Sequence, residues 1–167
     1  MHYYNTLIQP TNYILVTDAA TEPLTLAEVK TFLRIDTTDY DAILTPLIKT
    51  ARQLCEKITG RDMINKTWKT YLDNFSCGYY PNYYPNIYLK KGESFPSVDD
   101  RKQSVEIIFV SGYGVDATFV PQALKDGMLN HIASMYSDPG GCNDCDSTLY
   151  KSFYSPYIIS KLLFSII

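Results

Sequence analysis

The stretch DAILTPLIKTARQLCEKITG, residues 41 to 60, has the clearest helical periodicity in the chain. Its apolar side chains recur every three or four residues, which places them on one face of an α-helix. They are Ile43, Leu44, Leu47, Ile48, Ala51, Leu54, Cys55 and Ile58. Gly60 follows, and glycine is the usual residue for the left-handed conformation that ends a helix. The pattern predicts a long amphipathic helix packed against other helices.

The beginning of this helix has two interpretations. Asp39 is a suitable N-cap, and Asp41 would then lie in the first turn, where negative charge is favourable at the positive end of the helix dipole. Pro46 conflicts with this start, because a proline inside a helix removes one hydrogen bond and costs roughly 3 kcal/mol. Either the helix bends at Pro46, or Thr45 is the N-cap and Pro46 the first helical residue.

A shorter helix is predicted upstream, in PLTLAEVKTFLRI, residues 23 to 35. Thr25 and Glu28 have the spacing of a capping box, in which each side chain accepts a hydrogen bond from the other residue's backbone N–H. We expect the helix to end near Asp36. Its inward face would carry Leu26, Val29 and Leu33, with Phe32 beside them.

A third helix is predicted after Val120, with Pro121 at its first position. Its buried stripe would consist of Leu124, Met128, Ile132 and Met135. His131 lies next to this stripe and is expected to be a packed or surface histidine, because no second ligand stands at metal-binding spacing. We expect the three helices to form one core through Leu26, Val29, Leu33, Leu47, Ile48, Leu54, Leu124, Met128 and Ile132.

Two segments have the pattern of β-strands. TWKTYLDNF, residues 67 to 75, alternates between two faces, and SVEIIFV, residues 104 to 110, is rich in β-branched and aromatic side chains. A shorter strand is possible from Ile87 to Lys90. The SGYG sequence at residues 111 to 114 predicts a turn, since it lacks the remainder of a phosphate-binding loop. The predicted fold is mainly α, with three to four helices and a small antiparallel β element.

A tyrosine-rich loop is predicted between the strands, in GYYPNYYPNIY, residues 78 to 88. Pro81 and Pro85 are incompatible with a regular strand ladder, so we expect an irregular backbone. Tyrosine combines an apolar ring with a polar hydroxyl and is common at interfaces. The side chains concerned are Tyr79, Tyr80, Tyr83 and Tyr84. A contact with a neighbouring subunit or a tail protein, a self-packed loop, and a sugar or base site all remain open.

The chain closes with FYSPYIISKLLFSII, residues 153 to 167, in which Ser155 and Pro156 could begin another helix. This stretch is too short, and too interrupted by Lys161, to span a bilayer. We expect it either to dock on a partner or to fold back onto its own core. The interface residues predicted here are Tyr157, Ile159, Leu162, Leu163 and Ile166.

Composition excludes several function classes. The formal charge of -3 is unfavourable for a protein that neutralises nucleic-acid phosphates. The N-terminus does not have the pattern of a secretory signal, so we expect a cytoplasmic protein. No catalytic motif is recognisable, and we expect neither an enzyme nor a cofactor.

Metal sites are not expected either. In DTTDYD, residues 36 to 41, a calcium loop would need glutamate at its twelfth position, which is Leu47. The Cys142 and Cys145 pair has zinc-knuckle spacing, but the chain offers no second close pair. We therefore expect reduced thiols.

The order of these segments resembles the head-tail connector (adaptor) family of tailed bacteriophages. The motifs that carry the resemblance are PLTLAEVKTFLRIDTTDYDAILTPLIKTARQLCEKITGR, TWKTYLDNF, VEIIFVSGYG and VPQALKDGMLNHIASMYSD. Together they extend from Pro23 to about Asp138. This chain departs from the family pattern between Phe75 and Val105. The resemblance divides the chain into an N-terminal arm (1–22), a connector domain (23–138), and a flexible loop with an apolar tail (139–167).

The resemblance implies a helical subunit of a ring, twelve-fold in this family, beneath the portal of a DNA-filled capsid. Its implied partners are further copies of itself, the portal protein, and a tail or stopper protein, with no membrane. Genomic DNA would pass through the ring without sequence-specific binding. The protein would lie at the head-tail junction of the virion and in the host cytoplasm during assembly.

Two other function classes remain open. A small helical nucleic-acid-binding packaging or regulatory factor would need a basic helix face, and none of the three predicted helices supplies one. A gel-shift assay at low salt distinguishes this class from a connector. A carbohydrate-binding virion protein is suggested only by the tyrosine loop.

Overall fold

The computed structural model describes residues 13–72, 97, 102–137 and 148–158. Within them the chain is mainly helical with a small antiparallel sheet, which confirms the predicted fold class. The elements are β1 (Ile14–Thr17), α1 (Leu26–Leu33), α2 (Asp41–Thr59), β2 (Lys66–Leu72), β3 (Val105–Ser111), α3 (Gln122–Ser137) and α4 (Thr148–Tyr154). Short 3₁₀ turns span Ala117–Phe119 and Ser155–Tyr157. The chain divides into two compact units, of which one holds the four helices and the other the sheet.

The core of the helical unit is formed by α1, α2, α3 and α4. Its fully buried side chains include Val29, Leu44, Ala51, Cys55, Met63, Ile64, Leu124, Met128, Ile132 and Tyr154. The predicted stripe of α3 is confirmed, and Leu26, Leu33 and Leu47 pack on the core from its margin. Leu54 is only half-buried and does not belong to this cluster, so its predicted core position is wrong. Phe32 and Ile43 are exposed.

The predicted capping box of α1 is confirmed. Thr25 Oγ1 accepts a hydrogen bond from the Glu28 N–H at 3.2 Å, and Glu28 Oε2 accepts one from the Thr25 N–H at 2.7 Å. The helix ends at Leu33, earlier than predicted, because Arg34 adopts the left-handed conformation with φ 58°. The Arg34 N–H donates hydrogen bonds to the carbonyls of Lys30 and Thr31, which completes the last turn of the helix.

The N-terminus of α2 differs from both predictions. Tyr40 is the N-cap and makes no side-chain capping bond, so the predicted Asp39 cap is wrong. Pro46 lies inside the helix, which excludes the alternative start at Thr45. Pro46 is the sixth residue of the helix, so it removes one intrahelical hydrogen bond, the one to the Ala42 carbonyl, and the packed apolar face of the helix can offset the loss. The C-terminus is as predicted, because Gly60 has φ 71° and donates to the Glu56 carbonyl at 2.8 Å.

Helix α4 is an element that sequence periodicity did not predict. It packs against α3, and Gly127 is the position on α3 that permits this approach. A Cβ atom at Gly127 would lie 2.5 Å from Cε1 of Tyr154 and 2.9 Å from Cβ of Phe153. Tyr154 is consequently fully buried between α3 and the core. Helix α4 therefore completes the helical core.

The sheet has the strand order β1-β2-β3, and β1 is antiparallel to β2. Both predicted strands, at residues 67–75 and 104–110, are observed, and each begins within one residue of its predicted start. Residues 73–75 lie outside the described part of the chain. The candidate strand from Ile87 to Lys90 lies outside it as well. The pairing of β1 with β2 shifts between Leu15 and Thr17, which is a bulge-like irregularity.

Candidate assembly surfaces

One face of the sheet carries exposed apolar side chains. Ile14 pairs with Lys69 across β1 and β2, and Lys69 Nζ lies 3.9 Å from Glu106 Oε2 on β3. Because side chains alternate along a strand, Ile108 and Val110 share this face with Glu106. Ile14, Ile108 and Val110 are 42%, 61% and 63% exposed. We call these three residues the sheet face.

The opposite face of the sheet is covered along β2 and β3, whereas Leu15 of β1, which pairs with Trp68 there, is 42% exposed. Val105 and Thr70 are buried there, and the rings of Tyr13 and Phe109 meet edge to face at 6.0 Å between centroids. Hydrophobic residues inside and polar residues outside is the usual pattern for a sheet with one solvated face. The sheet face departs from this pattern in part, because Ile14, Ile108 and Val110 lie on the outward side beside Lys69 and Glu106.

A second group of exposed apolar side chains lies near the end of α1 and the start of α2, where Arg34, Asp36 and Asp39 are exposed as well. Lys30 Nζ and Asp41 Oδ1 join the two helices at 2.7 Å. Three side chains close to this ion pair in the sequence are 42–53% exposed: Phe32, Tyr40 and Ile43. We call these three residues the helix corner. The ring of Tyr40 packs edge to face against the ring of Tyr136 on α3, with ring centroids 5.8 Å apart.

A buried arginine fixes the segment between β1 and α1 on the helical unit. Arg52 of α2 is 1% exposed. Its Nε donates to Glu22 Oε2 at 2.7 Å, and its Nη1 lies 3.3 Å from Glu56 Oε2 and 3.4 Å from Asp18 Oδ1. Burial alone would lower the pKa of the guanidinium, but the Glu22 hydrogen bonds and the Glu56 charge outweigh it, so Arg52 stays charged.

Lys66 at the start of β2 extends this buried ionic network. Its ammonium contacts Glu56 and lies 3.2 Å from Asp62 and 3.7 Å from Asp18. Burial by itself would raise the pKa of Asp18, yet the Ala19 N–H and the charge of Arg52 hold it below its ordinary value. The network joins separate segments of the chain, and we interpret its role as structural. No group of side chains in the described ranges has the arrangement of a metal site.

The predicted Gly-Tyr-Gly turn joins the loop that follows α2. Asn65 donates its N–H to the Gly114 carbonyl at 2.8 Å. Gly112 has φ 147°, and a Cβ there would meet the backbone of Asn65 at 2.6 Å, so this position requires glycine. Between the two glycines, Tyr113 packs on the core, and burial raises the pKa of its hydroxyl. This segment therefore forms a turn, as predicted, and its contacts are structural.

Tyr157 is the single predicted interface residue that falls within the described part of the chain. It packs on the margin of the helical core, and its carbonyl accepts a hydrogen bond from Arg61 Nε at 3.0 Å. The other predicted interface residues lie outside the described residues: Tyr79, Tyr80, Tyr83, Tyr84, Ile159, Leu162, Leu163 and Ile166. Sequence analysis did not identify the sheet face or the helix corner, because apolar periodicity gives the same signal for core and for exposed interface residues.

His131, which sequence analysis placed beside the buried stripe, is packed in the helical core. It is 6% exposed, and its ring centroid lies 6.4 Å from that of Tyr154. Burial lowers the pKa of the imidazole. Burial also raises the pKa of the nearby Cys55 thiol to about 12, although a hydrogen bond with Tyr154 opposes the shift. Among the described helices, none is long and apolar enough to cross a membrane.

Comparison with protein families gives a match over most of the chain. The model of the phage gp6-like head-tail connector protein family matches residues 23–137. No curated protein sequence matches the chain.

Two chains of known structure are similar in fold. One belongs to the virion of a native gene transfer agent particle, with a TM-score of 0.68 and 16% sequence identity, and the match covers 91% of this chain and 97% of that one. The other comes from the neck of an empty gene transfer agent particle, with a TM-score of 0.65, 17% identity, and coverage of 92% and 98%. At these identities the similarity establishes the fold.

Proposed function

Because this chain belongs to the phage gp6-like head-tail connector family, we propose that it forms a ring beneath the portal that joins the DNA-filled head to the tail. The family is one of structural phage proteins and not of enzymes. The ring would contain twelve copies and would lie at the head-tail junction of the virion. Its central opening would continue the DNA channel of the portal. The family match over residues 23–137 is the observation that carries this proposal.

The fold likeness supports a place in the neck. Nearly the whole chain superposes on a chain from a particle neck that was computed with C6 symmetry. In such an assembly each copy repeats around the particle axis, and a twelve-fold ring is compatible with six-fold symmetry. The four-helix unit and the sheet are both included, since the match covers 92% of this chain.

Charge distribution supports the passage of DNA without tight binding. Five of the described cations are held in ion pairs within the chain: Lys30, Arg52, Lys66, Lys69 and Lys125. A protein that grips DNA must present clustered cations to the phosphates. With a formal charge of -3 and these cations paired, the ring would hold few phosphates strongly as the genome moves past.

The tyrosine loop and the C-terminal tail are the proposed contact segments for neighbouring subunits, the portal, and a tail or stopper protein. Deleting residues 79–86 should leave the melting temperature of the helical unit unchanged and reduce ring or tail assembly. Removing the residues after Ile158 should reduce portal binding. Normal assembly by the loop deletion would refute its contact role, and unchanged portal binding would refute that of the tail.

Electron microscopy of the purified full-length chain, alone and mixed with the portal protein of the same phage, tests the proposed function. We expect ring-shaped particles with a central opening, or a ring added to the portal. Particles that remain single subunits in both samples would refute the proposal. A gel shift on short duplex DNA at low salt should show no strong complex.

A further inference from the structure

The chain crosses three times between the unit that holds the four helices and the unit that holds the sheet. These crossings lie at residues 17/18, 66/67 and 110/111. Each of the three strands is therefore connected to the helical unit at one of its ends. On the helical side, contacts within that unit join the three connections to one another.

The ionic network joins two of these connections. Asp18 and Lys66 are the helical-unit residues at the first and second crossings, and Asp18 Oδ1 lies 3.7 Å from Lys66 Nζ. Asp18 Oδ1 also lies 3.4 Å from Nη1 of Arg52, and the Lys66 ammonium contacts Glu56. Because Arg52 and Glu56 both belong to α2, the network attaches both connections to the same helix.

Backbone contacts hold the third connection. Gly112 lies in the helical unit just after the third crossing, and a Cβ atom there would lie 2.6 Å from the backbone nitrogen of Asn65. The Asn65 N–H donates to the Gly114 carbonyl at 2.8 Å. Since Asn65 directly precedes Lys66, the helical ends of the three connections are joined at one place in the chain.

The two units differ in how well their described side chains are buried. The largest fully buried side chains all belong to the helical unit. In the described part of the sheet unit the most buried side chains are those of Thr70 and Val105, at 5% and 7% exposed, and all four residues of β1 are exposed. A region with few buried apolar contacts opens at a lower free-energy cost than a packed core.

We propose that the sheet opens as a separate cooperative unit, and that the contacts at the three crossings stop this opening from spreading into the helices. The pairing of β1 with β2 can be lost without breaking the network, because the ion pairs of the network lie within the helical unit. For the opening to spread, Asp18 and Lys66 would have to separate from Arg52 and Glu56. That step breaks several charge-assisted contacts around a guanidinium that is 1% exposed, so it is costly.

This property belongs to the single chain and does not depend on the ring proposed above. In such a ring, it would let the sheet change its contacts while the helical core stays folded. Elements that rearrange during assembly are drawn from the least stable parts of a fold.

Amide hydrogen exchange of the purified full-length chain, followed residue by residue in increasing denaturant, tests the separate opening of the sheet. We expect the hydrogen-bonded amides of β2 and β3 to exchange about tenfold or more faster than those of α2 and α3, which should exchange only through global unfolding. A single opening with one denaturant dependence for both groups of amides would overturn the proposal.

The amides of Met63 and Asn65 report where the opening stops, and we call them the boundary amides. The Met63 N–H donates to Glu56 Oε1 at 3.1 Å, and the Asn65 N–H donates to the Gly114 carbonyl at 2.8 Å. Both hydrogen bonds lie within the helical unit, so in the wild type the boundary amides should exchange together with the helices. Their exchange together with the sheet in the wild type would contradict the proposed boundary.

Removing the charge of Lys66 tests the role of the ionic network. Lys66→Met removes the ion pairs with Asp18, Glu56 and Asp62. We expect the boundary amides of this variant to exchange with the sheet, about tenfold or more faster than in the wild type, while the amides of α3 keep their protection.

Lys69→Met is the matched control, because it removes a more exposed ion pair, with Glu106, inside the sheet. It should leave the boundary amides exchanging with the helices. Asp18→Asn weakens the network at the first crossing by a smaller change and should accelerate the boundary amides in the same direction, which keeps the test decisive if Lys66→Met does not fold. Wild-type exchange of the boundary amides in the network variants, or equal acceleration in Lys69→Met, would overturn the role of the network.

Discussion

Arg52 Nε lies 2.7 Å from Glu22 Oε2, although the two residues are thirty positions apart and the arginine is 1% exposed. This ion pair attaches the segment before α1 to the middle of α2. Glu56, one turn further along α2, contacts both Arg52 and Lys66 and is 10% exposed. Loss of Arg52 would remove the guanidinium partner of Glu22, which is 31% exposed, and of Glu56, which keeps its contact with Lys66.

Replacing Arg52 with leucine should destabilise the protein by about 1 to 3 kcal/mol, since Glu22 and Glu56 would lose hydrogen bonds that water and Lys66 replace only in part. Urea unfolding followed by circular dichroism measures this change. Lys57→Leu on the exposed side of the same helix is the control and should change stability by no more than about 0.5 kcal/mol. Equal effects of the two substitutions would show that the network does not contribute to stability.

His131 should make stability depend on pH. Burial lowers its pKa in the folded protein, so the folded state favours the neutral imidazole. Below the unfolded pKa of about 6.5 the unfolded chain binds more protons, and the stabilisation present above that pH is lost as the pH falls toward the folded pKa. Unfolding curves between pH 7.5 and about 5 should show this loss for the wild type. If His131→Gln shows the same slope, another group is responsible.

Substituting Gly127 with alanine should destabilise the helical unit, although alanine is the better helix former by about 1 kcal/mol. The added Cβ would lie 2.5 Å from the buried Tyr154 ring, and overpacking of this kind costs about 1 to 3 kcal/mol. A thermal melt measures the difference. Combining Gly127→Ala with Tyr154→Leu should cost less than the sum of the two single changes, and strict additivity would show that the two residues do not compete for space.

Leu44 and Leu54 should respond differently to truncation, because only Leu44 is fully buried. Leu44→Ala should cost about 2 to 5 kcal/mol of unfolding free energy, and Leu54→Ala should cost clearly less. Denaturant titrations of the two variants under identical conditions make the comparison. A larger loss for Leu54→Ala would place the inward face of α2 elsewhere.

The contrast between these two leucines shows what the sequence could predict. The 3.6-residue period of α2 identifies an apolar face, but that face is wider than the surface that α1, α3 and α4 cover. Ile43 and Leu54 lie at its margins, and only tertiary packing decides their exposure. The capping box of Thr25 and Glu28 was predictable because its hydrogen bonds are local.

Long-range contacts explain what the sequence could not predict. Helix α4 has seven residues, too few to be stable without the groove over Gly127 that holds Tyr154. The ionic network around Arg52 joins Arg52 to Glu22 and Lys66 to Asp18, thirty and forty-eight positions apart, and only its Arg52–Glu56 and Lys66–Asp62 pairs have a local spacing. The N-cap of α2 at Tyr40 was missed because aspartate is the stronger capping residue, and the contact of Tyr40 with Tyr136 joins residues too far apart for the sequence to indicate it.

Native mass spectrometry of the purified full-length protein, alone and with the portal protein, tests the central claim of ring assembly most directly. We predict a closed oligomer of about 228 kDa, which is twelve times the 19.0 kDa mass of one chain, either free or added to the mass of the portal. A single species at 19.0 kDa in both samples would contradict the claim, as would an open series of oligomers without a preferred size.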